Sequence, residues 1–234
     1  MTVHELTHTI TNTMPVYPGT EQPVLTTACT IEKTGYRETL LHMYSHTGTH
    51  MDAPAHMIEG GKPLDAFPAE AFVGRGFVLD CRGQGEISPE LLRQHEEAIR
   101  QVDFLLFCTG WDKFWGQARY FEDFPCLTAE AAAFVASLPL KGVGEDSISL
   151  DPCDSVRFPN HMTLLGRNFL NTENLKDLDQ LIGRPFTFVT LPLKFENADG
   201  CSCRAVAIME EEGLIWVGCG FYLRCGWPSF PSRR

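Results

Sequence analysis

The stretch His46-Thr47-Gly48-Thr49-His50-Met51-Asp52-Ala53-Pro54-Ala55-His56 puts three imidazoles and a carboxylate into eleven residues. Of the eight histidines in the chain, four lie between His42 and His56. Neither a solvated loop nor a packed core explains such clustering. A divalent cation does, because neutral imidazole and carboxylate oxygen are the ligands that zinc and its neighbours accept. A regular helix would stack His46 over His50 but turn Asp52 about 200° away from His50. A fully extended chain would put all three on one face yet separate His46 from His50 by roughly 13 Å. The spacing therefore predicts a bent segment, in which Gly48 tolerates unusual backbone angles and Pro54 fixes one. A lone histidine such as His4, His8 or His95 is more often a core or surface residue than a ligand.

A cation held by imidazole and carboxylate with one open position lowers the pKa of its bound water to about 7, so the chemistry expected of this stretch is hydrolysis. A structural ion would instead be enclosed by four protein ligands, often cysteines, and the stretch contains none. His56, four residues beyond Asp52, is the candidate acid/base that carries a proton to a leaving nitrogen. The rival serine mechanism lacks its Gly-x-Ser-x-Gly elbow, and neither a phosphate loop nor a dinucleotide fingerprint is present.

The elements that must hold these residues can be read in outline. Leu6 to Ile10 is β-like and Met14-Pro15-Val16-Tyr17-Pro18-Gly19 is a proline-punctuated loop in which Tyr17 either caps a pocket or packs. Strands are expected between Leu25 and Tyr44, leading into the histidines, and over Phe77 to Asp80. Ser88 as N-cap with Pro89 at the first turn predicts a helix to about Arg100. Val102 to Cys108 reads as a strand buried on both faces, ending in the aromatic turn Thr109-Gly110-Trp111-Asp112-Lys113-Phe114-Trp115, where open α/β sheets place ligands. Thr128 to Ser137 reads as an Ala-rich helix capped by Thr128, and Lys141 to Asp151 as a strand. An irregular loop is expected up to His161, then a short helix around Thr172 to Ile182 and closing strands over Phe186 to Leu193 and Ala205 to Met209. Leu214-Ile215-Trp216-Val217 is strand-like, but the Pro/Ser/Arg ending is not core material. Helices interleaved with apolar strands give an α/β, mixed-sheet architecture.

At 234 residues and 44% apolar content the chain can bury one large core, and no linker, charge block or repeat divides it. One domain is expected over residues 1–210, with 211–234 a tail of unassigned role. A formal charge of -11 with nineteen scattered basic residues argues against a nucleic-acid partner. No apolar run approaches the ~20 residues that cross a bilayer, so no membrane partner is expected. Nine cysteines without a C-x-x-C pair or a signal segment predict reduced thiols and a cytoplasmic location. Cys201-Ser202-Cys203 and Cys219/Cys225 fit no standard zinc spacing and are better read as buried small hydrophobes.

The pattern His46-x-Gly-Thr-His50-x-Asp52-x-Pro54-x-His56 resembles the signature of the metal-dependent cyclase/hydrolase family that includes bacterial kynurenine formamidases and isatin hydrolases, at every fixed position. Met14 to Gly19, Thr109-Gly110-Trp111, Asn160-His161 and Thr172-Glu173-Asn174-Leu175 resemble the same family in order, so the resemblance runs over residues 4–209. It implies a centre of one or two divalent ions, zinc first and manganese as the alternative. His46, His50 and Asp52 would hold the first ion, Asp52 would bridge, His161 with Glu173 would complete the second, and His56 would be the acid/base. It also implies a swivelling β/β/α-type domain around a barrel-like sheet, assembled as a homodimer, homotetramer or larger oligomer with the site near the subunit contact. One departure stands out: relatives commonly continue Gly-Val-Gly as Ile-Asp, where this chain has Glu145-Asp146.

The expected function is metal-dependent hydrolysis of a C–N amide bond in a small molecule, of the arylformamidase type that turns N-formylkynurenine into kynurenine and formate. Trp111, Phe114, Trp115, Phe158 and Tyr17 would then flank the aryl ring. The alternatives are opening of a cyclic amide such as isatin, a metal-binding protein without turnover, and, lowest, synthesis by cyclisation.

Overall fold

The computed structural model describes residues 1–209. The expected tail over 211–234, with its strand-like Leu214 to Val217 and Cys219/Cys225, lies outside the described residues. Twelve strands are described: β1 (Thr2–Glu5), β2 (Val24–Cys29), β3 (Glu38–His42), β4 (His50–Asp52), β5 (Val73–Asp80), β6 (Glu86–Ile87), β7 (Phe104–Cys108), β8 (Cys126–Leu127), β9 (Gly142–Glu145), β10 (Leu170–Glu173), β11 (Phe186–Pro192) and β12 (Gly200–Met209). The helices are α1 (Ile31–Thr34), α2 (Pro89–Arg93), α3 (Glu96–Ile99), α4 (Ala129–Ala136) and α5 (Pro159–Leu165).

The principal sheet runs β1-β12-β11-β5-β7-β9-β10-β4, and β4 pairs back onto β12. Seven strands therefore close into a mixed barrel within a single α/β domain, as the family resemblance implied. Closure depends on the length of β12: Gly200 to Ser202 pair with Asp52 to His50, while the residues beyond pair with β11 on one side and β1 on the other. The parallel pairs β5–β7, β7–β9 and β9–β10 form the part of the sheet that helices cover.

Strand alternation sorts side chains between two faces. Val78, Phe104, Leu106, Phe186, Phe188, Ala205 and Ala207 share one face and form one core cluster with Leu6, Leu178 and Leu181. Leu79, Leu105, Phe107 and Val143 turn to the other face and pack under α4 and α5, against Ala131, Ala132, Val135 and Leu164. Each fully buried Leu, Val or Phe stabilises by about 1.5–3 kcal/mol relative to exposure, so the two clusters carry the fold. Gly74 and Gly76 lack side chains because Asp103 and the Phe186 ring occupy that space, with a Cβ on Gly76 falling 2.2 Å from the ring.

Several expectations hold. The all-buried β7, the β2–β3 hairpin, the Thr128 hydroxyl accepting from the amide of Ala131 at 3.2 Å, and the strand β11 stand where the sequence put them. Others need correction. The helix expected from Ser88 to Arg100 breaks at His95 into α2 and α3, and the Ser88 side chain makes no cap hydrogen bond. The first strand is Thr2–Glu5 rather than Leu6 to Ile10, since the Leu6 side chain is fully buried beneath the sheet. The strand from Lys141 ends at Glu145, and the buried stretch after it is irregular. The loop expected before His161 ends in α5, which carries that histidine. The helix expected at Thr172 to Ile182 is instead the end of β10 followed by a 3-10 turn over Leu178–Leu181. Pairing of β10 with both β9 and β4 overrides its weak helical pattern. Of the cysteines, the seven described are free, and Cys81, Cys108, Cys201 and Cys203 are buried. No described helix is long and apolar enough to cross a membrane.

Candidate metal centre

The bend predicted for the histidine stretch is present. Gly48 adopts φ +68°, the left-handed region, and the chain then enters β4, where His50 and Asp52 face the same side. Pro54 opens a 3-10 turn that ends at His56. On β10, antiparallel to β4, Asn171 lies opposite Asp52 and Glu173 opposite His50, so the sheet itself brings these four polar side chains together. His161 arrives from α5. Phe158, at the cap of that helix, has φ +45°, and Asp151 accepts from the amides of Asn160 and His161 at 3.0 and 3.1 Å, tying down the start of the helix.

The result is one buried constellation. His46 Nδ1 lies 2.7 Å from Asp52 Oδ1 and His50 Nε2 lies 3.3 Å from the same oxygen. His161 Nε2 is 3.7 Å from Asp52 Oδ2 and 3.0 Å from Glu173 Oε1, and Glu173 Oε2 is 3.4 Å from His50 Nε2. The other nitrogen of each ring is held elsewhere: His50 Nδ1 donates to the Gly48 carbonyl at 2.8 Å, His161 Nδ1 to Asp151 at 2.7 Å, and His46 Nε2 to Asp199 at 3.1 Å. The His56 ring lies against His46, tilted by 32° with centroids 4.0 Å apart. The structure thus brings together His46, His50, Asp52, His56, His161 and Glu173, all six chosen from the sequence.

Electrostatics follow from this packing. Burial opposes charge on His46, but hydrogen bonds to Asp199 and Asp52 lift its pKa to about 10. Burial likewise opposes charge on His161, which Asp151, Asp52 and Glu173 nevertheless raise well above the usual range. Asp52, against its burial, is held well below the carboxylate range by His161, His46 and His50. Asp199 is held down to about 2, first by its hydrogen bond from His46. Burial pushes His56 down to about 4, so its ring is neutral at pH 7.

The donor set fits a divalent cation. Three groups offer ligand atoms within 4.8 Å of one another: His46/His50/Asp52 and Asp52/His161/Glu173, which share Asp52, and the less buried His46/His56/Asp199. The Asn171 amide nitrogen lies 3.3 Å from Asp52, 3.2 Å from Glu145 and 3.2 Å from Glu173. Its two N–H groups cannot serve all three carboxyl groups, and the buried Oε2 of Glu145 has no hydrogen-bond partner among the described residues.

Sequence reasoning missed four residues. Asp199 precedes β12 and Gly200 begins it, and a Cβ on Gly200 would fall 2.2 Å from His46 Cε1, so only glycine lets the His46 ring lie there. The only signal was a turn-like Asp-Gly before a strand. Asn171 and Asp151 gave no signal beyond being polar among apolar neighbours. Glu145, the departure noted in the sequence, is buried beside the centre; burial and the charge of Glu173 push its pKa well above the usual range.

The aromatic residues divide. Tyr17, Trp111, Phe114 and Trp115 pack in one cluster around the fully buried Tyr120, whose hydroxyl donates to Asn174, and Asn174 in turn donates to the Gly48 carbonyl. Phe158 stands outside that cluster, edge-on to the His161 ring at 6.1 Å. His8 stacks flat on Trp115 at 3.9 Å.

Fold and site together define a closed-barrel α/β protein with a buried His/Asp/Glu centre where β4, β10 and α5 meet. The chain belongs to the cyclase family: the family model described as "Putative cyclase" matches residues 4–152. It is 30% identical over 206 residues to the kynurenine formamidase of Erythrobacter litoralis, covering 87% of this chain and 92% of that protein. The kynurenine formamidase of Bacillus cytotoxicus is 29% identical over 204 residues, 86% of this chain and 95% of the relative. Among solved structures, isatin hydrolase A from Labrenzia aggregata bound to benzyl benzoate superposes with a TM-score of 0.81 at 26% identity, covering 90% of this chain and 94% of that one. A potential metal-dependent hydrolase with cyclase activity gives 0.76 at 29% identity, over 90% and 98%.

Proposed function

We propose that this protein is a metal-dependent hydrolase of a carbon–nitrogen amide bond, acting on an aryl formamide in the manner of N-formylkynurenine hydrolysis. The observation that carries the reading is the convergence of His46 Nδ1, His50 Nε2 and His161 Nε2 on the Asp52 carboxylate, beside a neutral His56. His46, His50 and Asp52 would hold one ion, zinc or manganese, and His161 and Glu173 a second bridged by Asp52. A divalent cation bound there supplies carbonyl polarisation and a water that ionises near pH 7.

The protein's own groups do the rest. His56, neutral and packed against His46, takes a proton from the attacking water at a ring nitrogen and gives it to the departing aryl nitrogen as the C–N bond breaks, so the amine leaves uncharged. Asp52, ionised, holds the three imidazoles in register. Met51, Ala53 and Leu170, all buried, keep water from the far face of β4. Phe158 and the Tyr17/Trp111/Phe114/Trp115 cluster supply apolar surface for an aromatic substrate.

The test is metal analysis of the purified protein together with an absorbance assay of N-formylkynurenine hydrolysis before and after chelation. Bound metal with chelator-sensitive turnover is the expected result. Bound metal without turnover of this formamide would shift the reading to a cyclic amide of the isatin kind, which the likeness to isatin hydrolase A favours. Absence of metal under every loading condition would overturn it.

A further inference from the structure

Six imidazole nitrogens surround the Asp52 carboxylate, and they divide cleanly. Three point inward to Asp52 and Glu173, and three point outward, each to a single acceptor: the Gly48 carbonyl for His50, Asp151 for His161, Asp199 for His46. A carbonyl acts only as an acceptor, so His50 Nδ1 directs a proton outward and Nε2 is the nitrogen that faces the carboxylates. A carboxylate on the outward nitrogen does the same and more, because it fixes the tautomer and raises the basicity of the inward nitrogen.

The two carboxylates differ in setting. Asp151 is fully buried and its oxygens also accept from the amides that open α5, so one side chain both starts the helix and aims the ring on it. Asp199 stands at the end of the segment leading into β12 with its side chain 47% exposed, and the Ser45 hydroxyl donates to it at 3.2 Å. Gly200 beside it leaves room for the His46 ring. His46 comes from a bent loop with no helix or strand of its own, so the ring is held between Asp52 on its inward nitrogen and Asp199 on its outward one.

We propose that Asp199 and Asp151 are positioning residues that hold His46 and His161 with the outward nitrogen protonated and the inward one free to ligate a divalent cation. The inference rests on the metal-centre reading above. Its test is the affinity for Zn2+ alone, measured by calorimetry on the full-length Asp199→Asn and Asp151→Asn variants, with imidazole 15N NMR of the zinc-loaded protein and thermal midpoints of the metal-free forms. The expected outcome is a ~10–100-fold weaker Kd in each variant. For Asp199→Asn, whose carboxylate supports no helix, the His46 Nε2–H signal should move or exchange away, and the weaker Kd should exceed what the loss of the His46 contact costs the metal-free midpoint. Wild-type Kd and an unchanged His46 signal in Asp199→Asn would overturn the proposal, as would a fall in thermal midpoint with no change in Kd. If the parent chain itself takes up no zinc, the metal-centre reading falls and this inference with it. If parent and variants bind equally, this inference alone falls.

Discussion

At the scale of single residues, the site separates groups that gather charge from one that stays neutral. His46 and His161 are pulled toward protonation by carboxylates on both sides, while His56, with its pKa near 4, has burial as its first influence. His56→Ala is therefore expected to keep its metal and lose ~10²–10⁴ in kcat, measured with metal content on the same sample. Glu145 makes a different prediction. Its folded-state pKa lies above the ordinary 4.5, so the folded state holds a proton that the unfolded chain gives up; stability is full below about pH 4.5 and falls as pH rises through the folded pKa. In the metal-free protein, Glu145→Gln should raise the thermal midpoint more at pH 8 than at pH 5. Equal shifts at both pH values would show that Glu145 is not the titrating group.

Among the elements, β12 does two things at once. Its first three residues close the barrel on β4, and the glycine that begins it makes space for the His46 ring. Gly200→Ala is accordingly expected to displace His46 and weaken cation binding by at least about tenfold, while far-UV circular dichroism stays at the parent value. A calorimetric Kd equal to the parent's would refute the close approach. α5 is short and begins at a left-handed Phe158, so its position depends on Asp151 and on the Ser155 hydroxyl that accepts from the Phe158 amide at 3.1 Å. Such a backbone costs of order 1–3 kcal/mol, and it stands where His161 must enter the centre.

On the scale of the whole molecule, the β2–β3 hairpin forms its own small sheet apart from the barrel. Val24, Ile31, Tyr36, Leu40, Leu41 and Tyr44 are all exposed along it and its flanks. A patch of this kind suits association, and the homo-oligomer that the family resemblance implies would cover it. Sedimentation should show a dimer or larger species, which Leu40→Lys with Leu41→Lys should shift toward monomer. Acid sensitivity is a second global property. His8 and His56 have folded pKa values near 4, below the ordinary 6.5, so their contribution is full above pH 6.5 and is lost as pH falls toward 4. Glu145 acts in the opposite sense over the same window, so the histidine contribution is read by difference: His8→Gln should raise the metal-free thermal midpoint, relative to the parent, more at pH 4.5 than at pH 7.

By itself the sequence determined the candidate ligand types and their first cluster, because His46, His50, Asp52 and His56 are neighbours in the chain and their chemistry needs no partner strand to be recognised. It also determined β7, β11 and the Thr128-capped helix, where local pattern and burial agree. Family likeness, rather than spacing, singled out His161 and Glu173. Tertiary structure alone decided that Glu173 sits on a strand, that Asp151 both opens α5 and orients its histidine, and that Asp199 and Gly200 reach His46 from the far end of the chain. Those contacts arise when β4 is inserted between β10 and β12, and pairing across more than a hundred residues leaves no periodic trace in any one of the segments it joins.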